Sequence, residues 1–367
     1  MSLKGMRAAI LDKDKSLRMR DDLYIERPKK GEVLVRVLAC GVCHTDLHVV
    51  EGKVYLPTPA ILGHEIYGVV EDIGEGVSTV SPGDHVVSSF MWPCGRCRPC
   101  ISGYENLCEA SIRARAAGVM LDGTSRVRLA MGGQSIPVYV RNGGFAEYAV
   151  IPTENALAPV PEKIRSPEVA ILGCAFLTAY GAVFNSAHIK AGDRVAVFGV
   201  GGVGMAIVKM ASIAGADVIA IDVVEEKLNR ARQVGARYTI NSGKENPVEA
   251  VRSIAGGEGV DIAIEAVGIP QTVQQAIDSV RIGGKVIQVG LGSRAEVDLN
   301  RLVIRGISIV GSYGARPRID LPRILGFIEN KLIDLREFIT GIYRLHDIEK
   351  ALNDVKRGLA IRSIVIP

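Results

Sequence analysis

Four cysteines fall close together in this chain, as Cys94-x2-Cys97-x2-Cys100-x7-Cys108. Four thiolates at that spacing suit a closed tetrahedral zinc site, which holds a loop together rather than reacting. A ferredoxin-type iron–sulfur run opens in the same way, but it needs its fourth cysteine three residues on, followed by proline. Here seven residues intervene and Glu109 follows. A second set is scattered. CGVCHTDLH, residues 40–48, packs two cysteines, two histidines and an aspartate into nine positions, GHE at 63–65 adds His64 and Glu65, and ILGCAF adds Cys174. Cys40 lies within the alternating run VLVRVLA and reads as a small core hydrophobe, whereas Cys43 lies past the end of that strand. Taken singly, His64 reads more readily as a satisfied structural histidine, and Cys174 as a buried core cysteine, than as ligands.

A third constellation points to a phosphate-bearing ligand. RVAVFGVGGVGMAIV is a strand that runs into Gly199-x-Gly201-x-x-Gly204 and then a helix. Gly199 permits the tight turn, Gly201 lets backbone approach a pyrophosphate, and Gly204 lets the helix pack closely, with its N-terminal N–H groups facing the phosphates. Asp222 follows Gly201 by 21 residues, at the end of the next strand, where a carboxylate can accept both ribose hydroxyls.

The elements that must position these groups divide the 367 residues into two kinds of pattern. From Glu32 to about Pro152 the runs are short and alternating, with turn signals such as Ser81-Pro82-Gly83-Asp84, and read as an irregular β-rich region. A helix is expected from Ser166-Pro167-Glu168 through VAILGCAFLTAYGAVF, with proline at its first position. After Gly192, continuous apolar runs (RVAVFGV, DVIAID, VDIAIEAV, KVIQVG) alternate with helical stretches, the signature of a doubly wound parallel sheet. RLVIRGISIVGSY, 301–313, reads as a further strand at the sheet's edge, and the tail adds two helical patterns and a last strand, IRSIVIP.

Composition limits the partners. The chain carries 44 basic and 40 acidic residues with no like-charge run, which implies neither a nucleic-acid stripe nor a membrane patch. No stretch approaches the roughly 18 apolar residues of a bilayer span, and the first residues lack a signal-peptide core, so a cytoplasmic protein with a small-molecule partner is expected. Seven cysteines, an odd number in a long chain, argue for metal chemistry over a disulfide framework. Asn and Gln together number 16, a composition that leans toward a thermophilic source.

Gly63-His64-Glu65-x2-Gly68-x5-Gly74-x2-Val77 resembles the signature of zinc-containing medium-chain alcohol dehydrogenases. GVCHTDLH, the four-cysteine loop, GCAFLTAYGA and GVGGVG occur in that family's order. The resemblance covers almost the whole chain. It implies that Cys43, His64 and Cys174 hold a catalytic zinc, a Cys2His set with one position open, and that Cys94, Cys97, Cys100 and Cys108 hold a structural one. It further implies that Glu65 stands behind the metal, that Asp46 orients His64, and that Thr45 takes the substrate proton and passes it through the cofactor ribose to His48. Gly199, Gly201, Gly202, Val203, Gly204, Asp222, Lys227, His44, Val267, Val289, Leu291 and Arg362 are assigned to the cofactor by the same matching. Phe90 and Trp92 are candidates for the substrate pocket.

The expected fold is α/β: a β-rich GroES-like catalytic domain, 1–175 and 316–367, with the zinc loop 94–108, around a Rossmann domain, 176–315. The implied reaction is reversible hydride transfer between a primary or secondary alcohol and NAD, with NADP as the alternative cofactor. Polyols, amino alcohols and aromatic alcohols are alternative substrates. Asp222 favours NAD, since a 2′-phosphate would meet like charge there. A homodimer or homotetramer is expected. Arg113, Arg115, Arg126 and Arg128 read as a solvated or subunit-facing cluster.

Overall fold

The computed structural model describes residues 3–130, 133–138, 142–292, 294–358 and 360–367. Packing divides the chain into two units, Met1–Leu177 with Arg316–Pro367, and Thr178–Ala315.

In the first unit a seven-stranded sheet runs in the order Ile339–Arg344, Arg362–Ile366, Val33–Val42, Glu65–Ile73, His85–Ser88, Leu157–Pro159, with Tyr148–Ile151 also paired to Val33–Val42. The last strand of the chain thus returns beside Val33–Val42, and this is why the unit is discontinuous in sequence. A four-stranded sheet, Ala60–Ile61, Leu3–Leu11, Leu17–Glu26 and Val127–Leu129, completes the β framework. Within VLVRVLACGV only Arg36 reaches solvent freely, so this strand is buried on both faces.

Antiparallel pairing sets Gly41 opposite Glu65 and Cys40 opposite Ile66. Paired residues share a face of the sheet. A Cβ at Gly41 would overlap the Glu65 carboxylate, so the glycine opens the space that the carboxylate fills.

Two sequence expectations for this unit change. The helix expected to run unbroken from Pro167 is a 3-10 helix over Pro167–Gly173, then a helix over Ala175–Tyr180 and a π-helical stretch over Gly181–Ala187. The break falls on Cys174, whose φ of −132° and ψ of −67° leave helical space. Arg126, expected in a surface cluster, is 2% exposed. Its guanidinium grips both Glu32 oxygens, at 2.8 Å and 2.5 Å, and Asp122 at 2.7 Å, so the charge is buried because it is fully paired. Arg113 is exposed, as expected.

The second unit contains six parallel strands in the order Tyr238–Asn241, Asp217–Asp222, Arg194–Phe198, Val260–Glu265, Val280–Gln288, Ser308–Gly311. The order reverses between Arg194–Phe198 and Val260–Glu265, the switch point at whose carboxyl end parallel sheets bind ligands. RLVIRGISIVGSY is only partly strand. Leu299–Arg305 is a helix, and the strand is confined to Ser308–Gly311. Asp298 caps the helix, accepting from the N–H groups of Asn300 and Arg301, and Gly306 ends it with a φ of +60°.

Candidate metal and cofactor sites

Cys43 caps the N-terminus of the helix His44–Val50, directly after the strand Val33–Val42. Asp46, in the first turn of that helix, is fully buried and reaches back: one oxygen accepts the Cys43 N–H at 3.0 Å, and the other accepts the Gly63 N–H at 3.1 Å. The second oxygen also lies 3.3 Å from Nδ1 of His64. Gly63 has a φ of +87°, a turn that glycine takes without strain and that delivers His64 and Glu65 to the start of the next strand.

The break at Cys174 brings its thiol to the same place. One ligand atom each from Cys43, His64, Glu65 and Cys174 lies within 4.8 Å of the others, and all four residues are buried. Hydrogen bonding with Cys174, helped by the charge of Arg362, holds the Cys43 thiol well below its ordinary pKa against the effect of burial. Cys174 is pushed well above its own by that bond and by burial. Burial raises Glu65 to about 7, although Arg362 stands 3.3 Å away and favours its charged form. His64 is buried too, yet Asp46 and Cys43 raise its pKa well above the usual value. Both Glu65 oxygens are buried without a hydrogen-bond donor.

A soft dication fits this set. Two thiols, an imidazole whose Nδ1 lies 3.3 Å from an Asp46 oxygen, and a carboxylate without donors are together a Cys2His site with an acid behind it.

The four-cysteine loop forms the second cluster, with Cys94, Cys97, Cys100 and Cys108 also offering sulfurs within 4.8 Å of one another. Backbone amides of Cys94 and Ser111 point at Cys108 Sγ, at 3.3 Å and 3.4 Å. Cys97 is lowered to about 7: against partial burial, amides of Cys100 and Glu109 stabilise its thiolate. N–H groups aimed at sulfur suit thiolate ligands, and among the described residues no carboxylate or histidine takes part in this cluster.

Thr45 is half-buried with its hydroxyl 3.5 Å from Cys43 Sγ, and His48, three residues on, shares its helix face. His44 is exposed and packs edge-on against His48, with ring centroids 4.9 Å apart. Phe90 is buried with its ring 6.1 Å from that of His64. Trp92, expected as a pocket residue, is 0% exposed. Its indole N–H donates to Asn142 Oδ1 at 2.9 Å, so it belongs to the core behind His64. Arg362, expected on the cofactor, is 4% exposed and is directed onto Glu65 and the Val42 carbonyl. Its buried partner explains the placement: Glu65 is 0% exposed and needs a nearby cation.

In the second unit the expected turn forms after Phe198. Gly199 has a φ of +84°, and Gly201 caps the helix Gly202–Ile213, which includes Val203 and Gly204. A Cβ on Gly204 would meet the Gly199 carbonyl, and one on Gly199 would meet Val267. Asp222 accepts from Val200 N–H and Val224 N–H, both at 3.0 Å, which ties the acid to the glycine turn. Lys227 is half-buried nearby on the helix Glu225–Val234. Val267, Val289 and Leu291 lie at the carboxyl ends of the two strands beyond the switch point, with Val267 and Leu291 exposed.

Sequence reasoning missed Glu265. It is fully buried, and it accepts from Val267 N–H, Gly268 N–H, the Thr272 hydroxyl and the Gln288 amide, clamping those two strand ends together. It also missed Asn142. An acid ending an apolar run is the only local signal for the first, and nothing local marks the second.

Comparison with known proteins agrees with this geometry. Residues 202–330 match the family described as zinc-binding dehydrogenase, and residues 29–162 match the alcohol dehydrogenase GroES-like domain. The chain is 36% identical to an S-(hydroxymethyl)glutathione dehydrogenase of Synechocystis, over 94% of this chain and 95% of that protein. Among solved structures it is similar to an alcohol dehydrogenase zinc-binding domain protein from Burkholderia ambifaria, with a TM-score of 0.93 and 34% identity over 100% of both chains. It is also similar to a benzyl alcohol dehydrogenase from Acinetobacter calcoaceticus, with a TM-score of 0.92 and 31% identity over 99% of both chains.

Proposed function

The chain belongs to the zinc-containing medium-chain alcohol dehydrogenase family, and from that premise we propose that it interconverts a primary or secondary alcohol with its aldehyde or ketone, using NAD. The observation that carries the reading is the convergence of Cys43, His64 and Cys174 on one buried point, with Asp46 on His64 and Glu65 behind.

Zinc held by Cys43, His64 and Cys174 would supply Lewis acidity toward the substrate oxygen, and the nicotinamide would supply the hydride chemistry. The chain's own residues do the rest. Asp46 engages Nδ1 of His64 and so keeps Nε2 for the metal. The Thr45 hydroxyl, beside Cys43, takes the substrate proton, and His48 on the same face carries it outward. Phe90 presents an apolar ring beside His64 that keeps water off the reacting centre. That ring, and the likeness to the benzyl alcohol dehydrogenase, make an aromatic primary alcohol the first substrate to try. A panel of alcohols and carbonyls followed by nicotinamide absorbance tests the activity, and turnover of none of them would overturn it.

The metal count in this reading is two zincs per chain. Cys174→Ala should lose one zinc and chiefly turnover, and Cys108→Ala the other and chiefly stability, since a structural site contributes folding free energy. Metal analysis returning one zinc in the unmutated protein sinks the two-site reading. A homodimer or homotetramer also belongs to it. The edge strand Ser308–Gly311 and the helix before it expose Val303 and Ile304, at 80% and 81%, on an apolar face that a second copy would cover. Light scattering that gives a monomer at micromolar concentration excludes this assembly.

A further inference from the structure

The buried face of the metal cluster is held from an unexpected direction. Asn142 is 2% exposed, and a buried amide is costly unless its donors and acceptor are all engaged. Here they are. The Trp92 indole N–H, a donor only, requires an acceptor and so assigns Oδ1 of Asn142 to itself, at 2.9 Å. That leaves Nδ2 facing three acceptors: the His64 carbonyl at 2.9 Å, the Ser88 hydroxyl at 3.1 Å and the Ser89 carbonyl at 3.3 Å. Trp92 is anchored in turn on the four-cysteine lobe. Its backbone N–H points at the Ser111 hydroxyl at 3.4 Å, and the Ser111 N–H points at Cys108 Sγ at 3.4 Å.

Two metal clusters with no shared ligand are therefore joined by a continuous run of buried polar contacts through Trp92 and Asn142. His64 is held at both ends, its ring by Asp46 and its carbonyl by Asn142. Rotation of the His64 peptide would swing the imidazole away from the two thiols, and the Asn142 amide opposes that rotation.

We propose that Asn142 is a positioning residue for His64, and that Trp92 orients the Asn142 amide and so makes the geometry of the catalytic metal site depend on the four-cysteine lobe. The inference rests on the assignment of His64 as a metal ligand. It assigns work to the chain's single tryptophan, and the folding of the lobe explains how that work is supported.

The test uses the intact enzyme with cobalt in place of the catalytic zinc. The d–d absorption bands report ligand geometry, and competition with a chelator gives metal affinity. Asn142→Ala should shift those bands and weaken metal binding about tenfold or more, as loss of a partner behind a ligand does. Trp92→Phe keeps an aromatic ring and removes only the N–H, so it should move both readouts in the same direction by a smaller factor. It also serves if Asn142→Ala does not fold. Unchanged bands and affinity in the folded variants, whatever happens to Tm, overturn the proposal. His64→Ala is the reference. If it leaves the cobalt spectrum unaltered, the ligand assignment fails and the proposal with it; if it alters the spectrum while Asn142→Ala and Trp92→Phe do not, only the Asn142 proposal fails.

Discussion

One oxygen of Asp46 lies 3.3 Å from Nδ1 of His64 and accepts the Gly63 N–H at 3.1 Å, so a single carboxylate fixes both the imidazole and the turn that carries it. Its other oxygen accepts the Cys43 N–H, which brings a second ligand under the same control. Asp46→Asn keeps the size but removes the charge, and its amide NH2 must face one of these donors. Zinc affinity at the catalytic site should fall about 10–100-fold. Chelator competition measures it, and an affinity within twofold of the parent would remove Asp46 from this role.

Gly41 is the counterpart on the neighbouring strand. Because its missing side chain makes room for the Glu65 carboxylate, Gly41→Ala should force Glu65 or the strand to move, at about 1–3 kcal/mol for an overpacked core. Urea unfolding reads the loss. A Gly41→Ala protein as stable as the parent would mean that Glu65 has another place to go.

How much of this was open to sequence reading depended on distance along the chain. The four-cysteine loop and the glycine turn are local, and spacing alone exposes their chemistry, whereas the Cys43 to His48 segment shows metal-capable side chains whose roles only the family resemblance implies. Arg126 is not of that kind: what buries it is Glu32, 94 positions away, and a charged residue beside other arginines reads as surface until that partner is seen. Trp92 reads equally as pocket or core for the same reason, since its partner Asn142 is 50 residues distant. Within RLVIRGISIVGSY, 301–313, the recurring β-branched residues read as strand throughout, but over 301–305 the Asp298 cap and the Gly306 stop outweigh that preference. The family resemblance supplied the ligand set Cys43, His64 and Cys174. The break that aims Cys174 is a tertiary feature, inside a segment whose composition says helix.

Acid should destabilise the protein through a few identifiable carboxylates. Asp122 is held well below the usual range by Arg126 and Thr124, against partial burial. Glu147 is lowered by Arg7, and Glu154 by the amides and hydroxyl of Ser78 and Thr79, again against burial. A depressed folded-state pKa gives stability that is complete above the unfolded value of about 4 and is lost as pH falls through the folded value. These three carboxylates should therefore make urea midpoints drop as pH falls below about 4. Arg126→Met should make that drop shallower, because it removes the Asp122 pairing. A parent midpoint that rises as pH falls below about 4 would reverse the sign of the argument.

The proposed use of NAD turns on one side chain. Asp222 ends the strand Asp217–Asp222, beside the glycine turn, and its two oxygens accept from Val200 N–H and Val224 N–H, so the carboxylate cannot readily swing aside. A 2′-phosphate on the adenosine ribose would meet that fixed negative charge. Val223, Val224, Glu225 and Glu226 offer no cation to receive it, and Lys227, the near one, can as readily bond a 3′-hydroxyl. Repulsion and the missing partner both favour NAD. Asp222→Gly removes the repulsion and also loosens the turn, so both cofactors should bind less well, and the ratio of kcat/KM values is the quantity to read. It should move toward NADP by about tenfold or more, the equivalent of about 1.4 kcal/mol. Steady-state rates with each cofactor decide the matter: an unmutated protein that prefers NADP, or a ratio that Asp222→Gly leaves in place, would show that selection lies elsewhere in the chain.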